Sequence, residues 1–190
     1  MILATRQVYW NIEHQYILYI IFIAAVAVFA YGLWQRIRTW FIGMPEVRWD
    51  LVRDRLRQAW RHAALQRRLS QNRVAGVFHI WLSWGFFILF LGTVVVMIHE
   101  DLRIRIMQGS FYLWFQSLVL DIAGLLALAG AVIAWVRRGV FKPRALSKVA
   151  ETKAPLDDWV YLLHIVLILW TGFWTEGIRL VATDDPWAAW

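Results

Sequence analysis

GVFHIWLSWGFFILFLGTVVVMIHE, residues Gly76 to Glu100, is the stretch whose reading decides the fold. From Val77 to Ile98 it is apolar or small apart from His79, Ser83 and Thr93. About 22 residues at 1.5 Å each reach roughly 33 Å, enough to cross the hydrocarbon core of a bilayer. The stretch therefore reads as a transmembrane helix with a histidine near each end. An imidazole inside such a span is costly unless it binds something, which makes His79 a candidate functional residue from the outset.

Working outward, three more stretches have the same character. Tyr16 to Trp34 lies before it, and Tyr112 to Val136 and Trp159 to Ala182 after it. The expected fold is all-α: a polytopic bundle of four spans forming one transmembrane domain, residues 1–190. With 61% hydrophobic and only 17% charged residues among 190, the composition is outside the range of soluble domains. Cysteine is absent, so this chain by itself carries no disulfide framework, no Cys-ligated zinc and no iron–sulfur cluster. The first 16 residues lack a continuous apolar core, and no cleavable signal peptide is expected.

A net charge of +7 would point to nucleic acid in a soluble protein, but its distribution argues against that partner. Sixteen of the 20 Lys and Arg lie in Gln35 to Gly76 and Arg137 to Asp158, alternating with neutral or acidic connections. That is the positive-inside pattern, and it places both termini outside and the two basic segments on the cytoplasmic face. Within the first of these, Trp49, Val52, Leu56, Trp60, Ala63 and Leu69 recur at helical spacing with arginines between them. An amphipathic helix over about residues 48–70, lying on the bilayer surface, fits that period and can dock a cytoplasmic partner. Asp157-Asp158 are placed to cap the fourth span, where the helix dipole favours negative charge. Trp34, Trp40, Trp159, Trp187 and Trp190 read as interfacial anchors.

Without cysteines or a carboxylate cluster, the redox cofactor this pattern could hold is b-type haem, bound by neutral imidazoles across a helix bundle. Four of the five histidines lie at or inside span ends, and depth sorts them into two layers. His79 and His164 lie toward the inner leaflet, and His14 and His99 toward the outer. Twenty residues rotate His99 about 200° from His79 on an ideal helix, so both face one interior only if the helix bends or His99 lies beyond its end. His62 is expected to be solvated. Gly85 and Gly92 share a face and would admit either a neighbouring helix or a flat macrocycle. Asp121 in the third span, with Glu176 and Arg179 three residues apart in the fourth, forms a candidate quinone or proton site in the outer layer; the plainer reading is an internal ion-pair network.

Several strings then act together: YWNIEH (Tyr9–His14), HIWLSWGFFILFLGT (His79–Thr93), FYLWFQSLVLDIAG (Phe111–Gly124), RRGVFKPRAL (Arg137–Leu146) and TGFWTEGIRL (Thr171–Leu180). Jointly they resemble the membrane cytochrome b domain, similar to the nitrate reductase gamma subunit, of the iron–sulfur oxidoreductases related to heterodisulfide reductase. Within that group they are most similar to the electron-transfer-flavoprotein:(methyl)menaquinone oxidoreductases. The resemblance implies one or two b haems, menaquinone as substrate, a cytoplasmic iron–sulfur domain or subunit and electron-transfer flavoprotein as partners, and a bacterial inner membrane location. It implies that His79 is a haem ligand. The family's fifth helix and cysteine-rich domain are missing from these 190 residues, and the second histidine of the gamma subunit falls on Leu89. His79 with His164 is then the inner-layer pair that the chain offers by itself.

Two other readings compete. A haem-free membrane anchor would dock a soluble redox enzyme through the Arg-rich segment. A small transporter is disfavoured, because the spans lack the Gly/Pro-interrupted pairs that mark substrate sites.

Overall fold

The computed structural model describes residues 4–6, 8–43, 50–64, 66, 73–141 and 155–183. Trp49, Arg67 to Leu69, the Lys142-Pro143-Arg144 loop, Trp187 and Trp190, and the side chains of Asp157 and Asp158, lie outside what is described. Every element among the described residues is helical, and four helices are long and apolar enough to cross a membrane: Gln15–Trp40, Ala75–Glu100, Gly109–Phe141 and Trp159–Thr183. This is a multi-pass membrane protein.

The chain divides into two compact units, Tyr9–Ala64 and a second made of Met1–Val8 with Leu65–Trp190. In the first, the opening span continues six residues beyond Trp34, so Arg36 and Arg38 are helical, and Arg38 lies in the last turn, where the dipole favours a cation. The basic segment forms the helix Val52–Ala59, which widens into a π-helical turn at Trp60–Ala64. Val52, Leu56 and Trp60 recur along it at helical spacing, and all three are exposed.

In the second unit, the third span is the middle helix. One face of it is lined by small residues, with Ala123, Gly124, Ala127, Gly130, Ala131 and Ala134 buried. Helices in lipid gain nothing from excluding water against one another, so close backbone packing takes over that role. The approach is tight: a methyl on Gly85 would lie 2.7 Å from the Ala123 carbonyl, and one on Gly130 would lie 2.7 Å from the Phe78 carbonyl. Gly92 closes against Leu120 in the same way. Of the two occupants that Gly85 and Gly92 could have admitted, the neighbouring helix is the one present. On its other side the third span receives the fourth, with Phe173 over Gly124 and Leu169 buried against Ala127 and Ala131.

The third and fourth helices also exceed their expected bounds, each for a physical reason. The third helix runs from Gly109 to Phe141, including Arg137 and Arg138, and it is widened over Tyr112–Val119, which buries Tyr112 and Gln116. The fourth begins at Pro155, a residue pre-shaped for a first helical position, so Asp157-Asp158 lie in the first turn rather than at the cap. It also runs unbroken through Thr171-Gly172. The hydroxyls of Thr171 and Thr175 donate to the carbonyls of Leu167 and Thr171, each at 2.8 Å, and so carry no unmet donor into lipid.

Overpacking a tight interface costs about 1–3 kcal/mol, more than the roughly 0.5–1 kcal/mol that alanine gains over glycine inside a helix. Gly85→Ala and Gly130→Ala are therefore expected to lower the thermal unfolding midpoint in detergent. Gly172→Ala, where nothing lies within 4 Å of the new methyl, should leave it unchanged or raise it. Equal midpoints for all three variants would contradict this packing.

Candidate functional site

The polar residues of the three-helix unit gather at its two ends, and hydrogen bonding sorts the histidines by which ring nitrogen keeps a lone pair. At the end bearing Arg137, His79 Nδ1 lies 2.9 Å from the side-chain oxygen of Gln66 and 3.2 Å from the hydroxyl of Ser83, one turn further along. An amide oxygen can only accept, so Nδ1 carries the proton. Nε2 keeps its lone pair and has no hydrogen-bond partner among the described residues. His164, an exposed residue, shows the same pattern: Nδ1 donates to the Val160 carbonyl one turn back at 2.8 Å, and Nε2 has no hydrogen-bond partner among the described residues.

His99 is the reverse case. Its Nδ1 accepts from the Met107 amide at 3.2 Å, and the ring proton sits on Nε2, 3.9 Å from a Glu100 oxygen. Neither nitrogen of that neutral ring offers a lone pair in this arrangement. His14, in the other unit, precedes the first span and packs edge-on against Tyr16, with ring centroids 5.6 Å apart. Among the described residues no three His, Cys, Asp or Glu side chains converge on a point that would cage a bare metal ion.

Around His79 the same end carries aromatic groups. Arg137 lies over the Phe78 ring at 5.6 Å, and Trp135 and Trp159 pack with ring centroids 5.2 Å apart. The indole N–H of Trp135 is buried without a partner among the described residues.

The opposite end holds the charge cluster. Arg179 grips Glu176 through two bonds, Nη2 to Oε1 at 2.6 Å and Nε to Oε2 at 3.3 Å, so the fork of the guanidinium meets both carboxylate oxygens. Arg179 is buried. A second cation, Arg6, approaches Glu176 Oε2 at 3.5 Å. Asp121 is within electrostatic reach of both Glu176 and Arg6. Glu176 is thus paired with Arg179 and, at longer range, with Arg6.

Arg6 is held there by its neighbours. Thr5 donates to the Met107 carbonyl at 3.0 Å, the Gly109 amide donates to the Ala4 carbonyl at 2.7 Å, and Ala4 is buried with Met107 and Tyr112. Gln116 lies in the same half of the third span: its amide N–H approaches the Gly92 carbonyl at 3.5 Å while its own oxygen is buried without a partner among the described residues. On the adjacent face of the fourth span, Trp170, Phe173, Trp174, Gly177, Ile178 and Val181 line an apolar groove of about 580 Å³.

Arg6, Gln66 and Gln116 were not among the candidates drawn from sequence. Gln66 lies in a basic connection with no pattern that ties it to a histidine 13 residues on. Arg6 carried a signal that could have been read, as one of only four Lys or Arg outside the two basic segments.

Compared with known proteins, the chain is 34% identical over 173 residues to an EtfAB:quinone oxidoreductase of Syntrophomonas wolfei, a match that covers 90% of this chain and 23% of that relative. The chain thus spans about a quarter of the relative's length. No family model and no solved structure matches it. The similarity agrees with the resemblance to the flavoprotein:quinone oxidoreductases drawn from the sequence strings. The relative's name mentions EtfAB and quinone, and it does not mention haem.

Removing one partner of a buried ion pair costs about 3–5 kcal/mol, and partial exposure of Glu176 reduces this to about 1–3 kcal/mol. Glu176→Gln should lower stability by that amount, because it leaves Arg179 buried without its carboxylate. Glu176→Gln combined with Arg179→Met should recover most of the loss in a thermal unfolding cycle. Additive losses would show that the two side chains do not act as a pair.

Proposed function

We propose that this chain is the membrane electron-transfer part of a quinone oxidoreductase. It would connect a partner on the cytoplasmic side, an iron–sulfur domain or subunit fed by electron-transfer flavoprotein, to the quinone pool. The observation that carries the reading is the matched state of His79 and His164, two imidazoles in spans with Nδ1–H engaged and Nε2 left with its lone pair. Those two nitrogens would hold a b-type haem, which supplies a one-electron relay when bound. Haem iron takes neutral imidazole nitrogen, and a hydrogen bond from the remote Nδ1–H to an acceptor is the usual support of such a ligand.

The charge cluster supports quinone at the other end. Reducing a quinone to a quinol takes two electrons and two protons. Arg6 and Arg179 can draw negative charge onto the headgroup oxygens, Asp121 and Glu176 can pass protons to them, and the apolar groove beside Glu176 suits an isoprenoid tail. The arginine-rich helix would lie on the cytoplasmic membrane face and meet the acidic surface of the soluble partner, with the N-terminus outside. That same helix also favours the second reading, a haem-free anchor for a soluble redox enzyme, since its exposed arginines and apolar stripe require no cofactor.

An absorption spectrum of the purified, dithionite-reduced protein separates the two. The electron-transfer reading expects the sharp α band of b haem, lost in His79→Ala and retained in His99→Ala, whose Nδ1 already serves the Met107 amide. A featureless spectrum leaves the anchor, and an unchanged band in His79→Ala moves the haem to other ligands. In quinone reduction assays, Asp121→Asn should slow turnover by about 10²-fold if it passes protons; an unaltered rate restricts Asp121 to a structural role.

A further inference from the structure

We infer that Gln66 is a positioning residue for His79: it fixes the ring's tautomer and tunes the electron density of the nitrogen that faces the cofactor. The inference rests on the haem reading and goes beyond it by assigning a residue outside the span. Three observations carry it. Gln66 is a polar side chain buried to 9% exposure, although its backbone belongs to the strongly basic connection before the second span. Its oxygen lies 2.9 Å from His79 Nδ1. Its backbone has φ 45°, in the left-handed region that few non-glycine residues adopt. A buried glutamine held against one imidazole nitrogen is a constraint that a topology-fixing loop does not need.

The chemistry has a sign. A neutral amide accepting from Nδ1–H makes the ring a somewhat better electron donor at Nε2, and a carboxylate in its place would do so more strongly. An apolar side chain would withdraw the support. Ser83, 3.2 Å from the same nitrogen, is a weaker second acceptor and keeps Nδ1–H from being orphaned when Gln66 is replaced. Donation at Nε2 stabilises the oxidised iron over the reduced, so the reduction potential must follow the acceptor in a fixed order.

The test is a redox titration of the full-length, haem-loaded protein in detergent, comparing wild type with Gln66→Glu and Gln66→Leu. The midpoint potential is expected to fall in the Glu variant and rise in the Leu variant, with wild type between them. At a potential poised at the wild-type midpoint, the Glu variant should be mostly oxidised and the Leu variant mostly reduced. Identical midpoints, or both variants shifted in one direction, would overturn the role assigned to Gln66. If Gln66→Leu loses haem, retention of haem by Gln66→Glu supports the inference, and loss in both variants while the helical circular dichroism is intact overturns it. Absence of haem from the wild-type protein overturns the underlying reading as well, and that outcome is visible before any variant is made.

Discussion

Hydrocarbon offers no hydrogen-bond partner, so every polar side chain within the spans must find its partner in protein or hold something else. Most of this chain's intramembrane polar groups obey the first option. Thr93, Thr171 and Thr175 return their hydroxyls to carbonyls of their own helices, and Arg179 and Glu176 neutralise each other with Arg6 alongside. Among the described residues, the Gln116 oxygen and the Trp135 indole N–H are buried without a partner, and the hydrogen bonds of His79 and His164 run through Nδ1 rather than Nε2. These lie in the same helices that bear the two candidate ends, and it is from them that the functional reading grows.

The scaffold that holds these groups is built from the absence of side chains. The small face of the third span lets Gly85, Gly92 and Gly130 bring two backbones together, and Gly124 receives the ring of Phe173. Leu169 completes the contact on the other side. With the middle helix so constrained, His79 and His164 are carried by the two helices that flank it, and Asp121 and Glu176 by the middle and the last. A membrane protein whose helices slid freely could not keep the Gln116 amide at the Gly92 carbonyl of the neighbouring span.

Much of this was legible in the sequence because it follows from length and hydropathy. Four apolar runs of spanning length leave few alternatives, so the spans emerge with boundaries a few residues short. The first and third end short for one reason: Arg36, Arg38, Arg137 and Arg138 are acceptable at helix ends, and a reading by hydropathy stops at the first charge. The pairing of Glu176 with Arg179 was also legible, since three residues place them on one helix face. What distinguishes His79 from His99 was not, because it depends on partners that only the fold brings near. Gln66 reaches its histidine from the connection before the second span, and Met107 reaches His99 across the loop between two spans. Arg6 joins Glu176 from 170 positions away, held in place by the backbone of the Met107–Gly109 connection.

The central claim is that Nε2 of His79 keeps its lone pair for iron, and electron paramagnetic resonance of the oxidised protein, prepared with ¹⁵N-labelled histidine, tests it most directly. The account predicts a low-spin ferric signal whose hyperfine structure reports two coordinated imidazole nitrogens in the wild type, and loss of that signal in His79→Ala. A wild-type sample with no ferric haem signal, or histidine couplings that persist unchanged in His79→Ala, would contradict it.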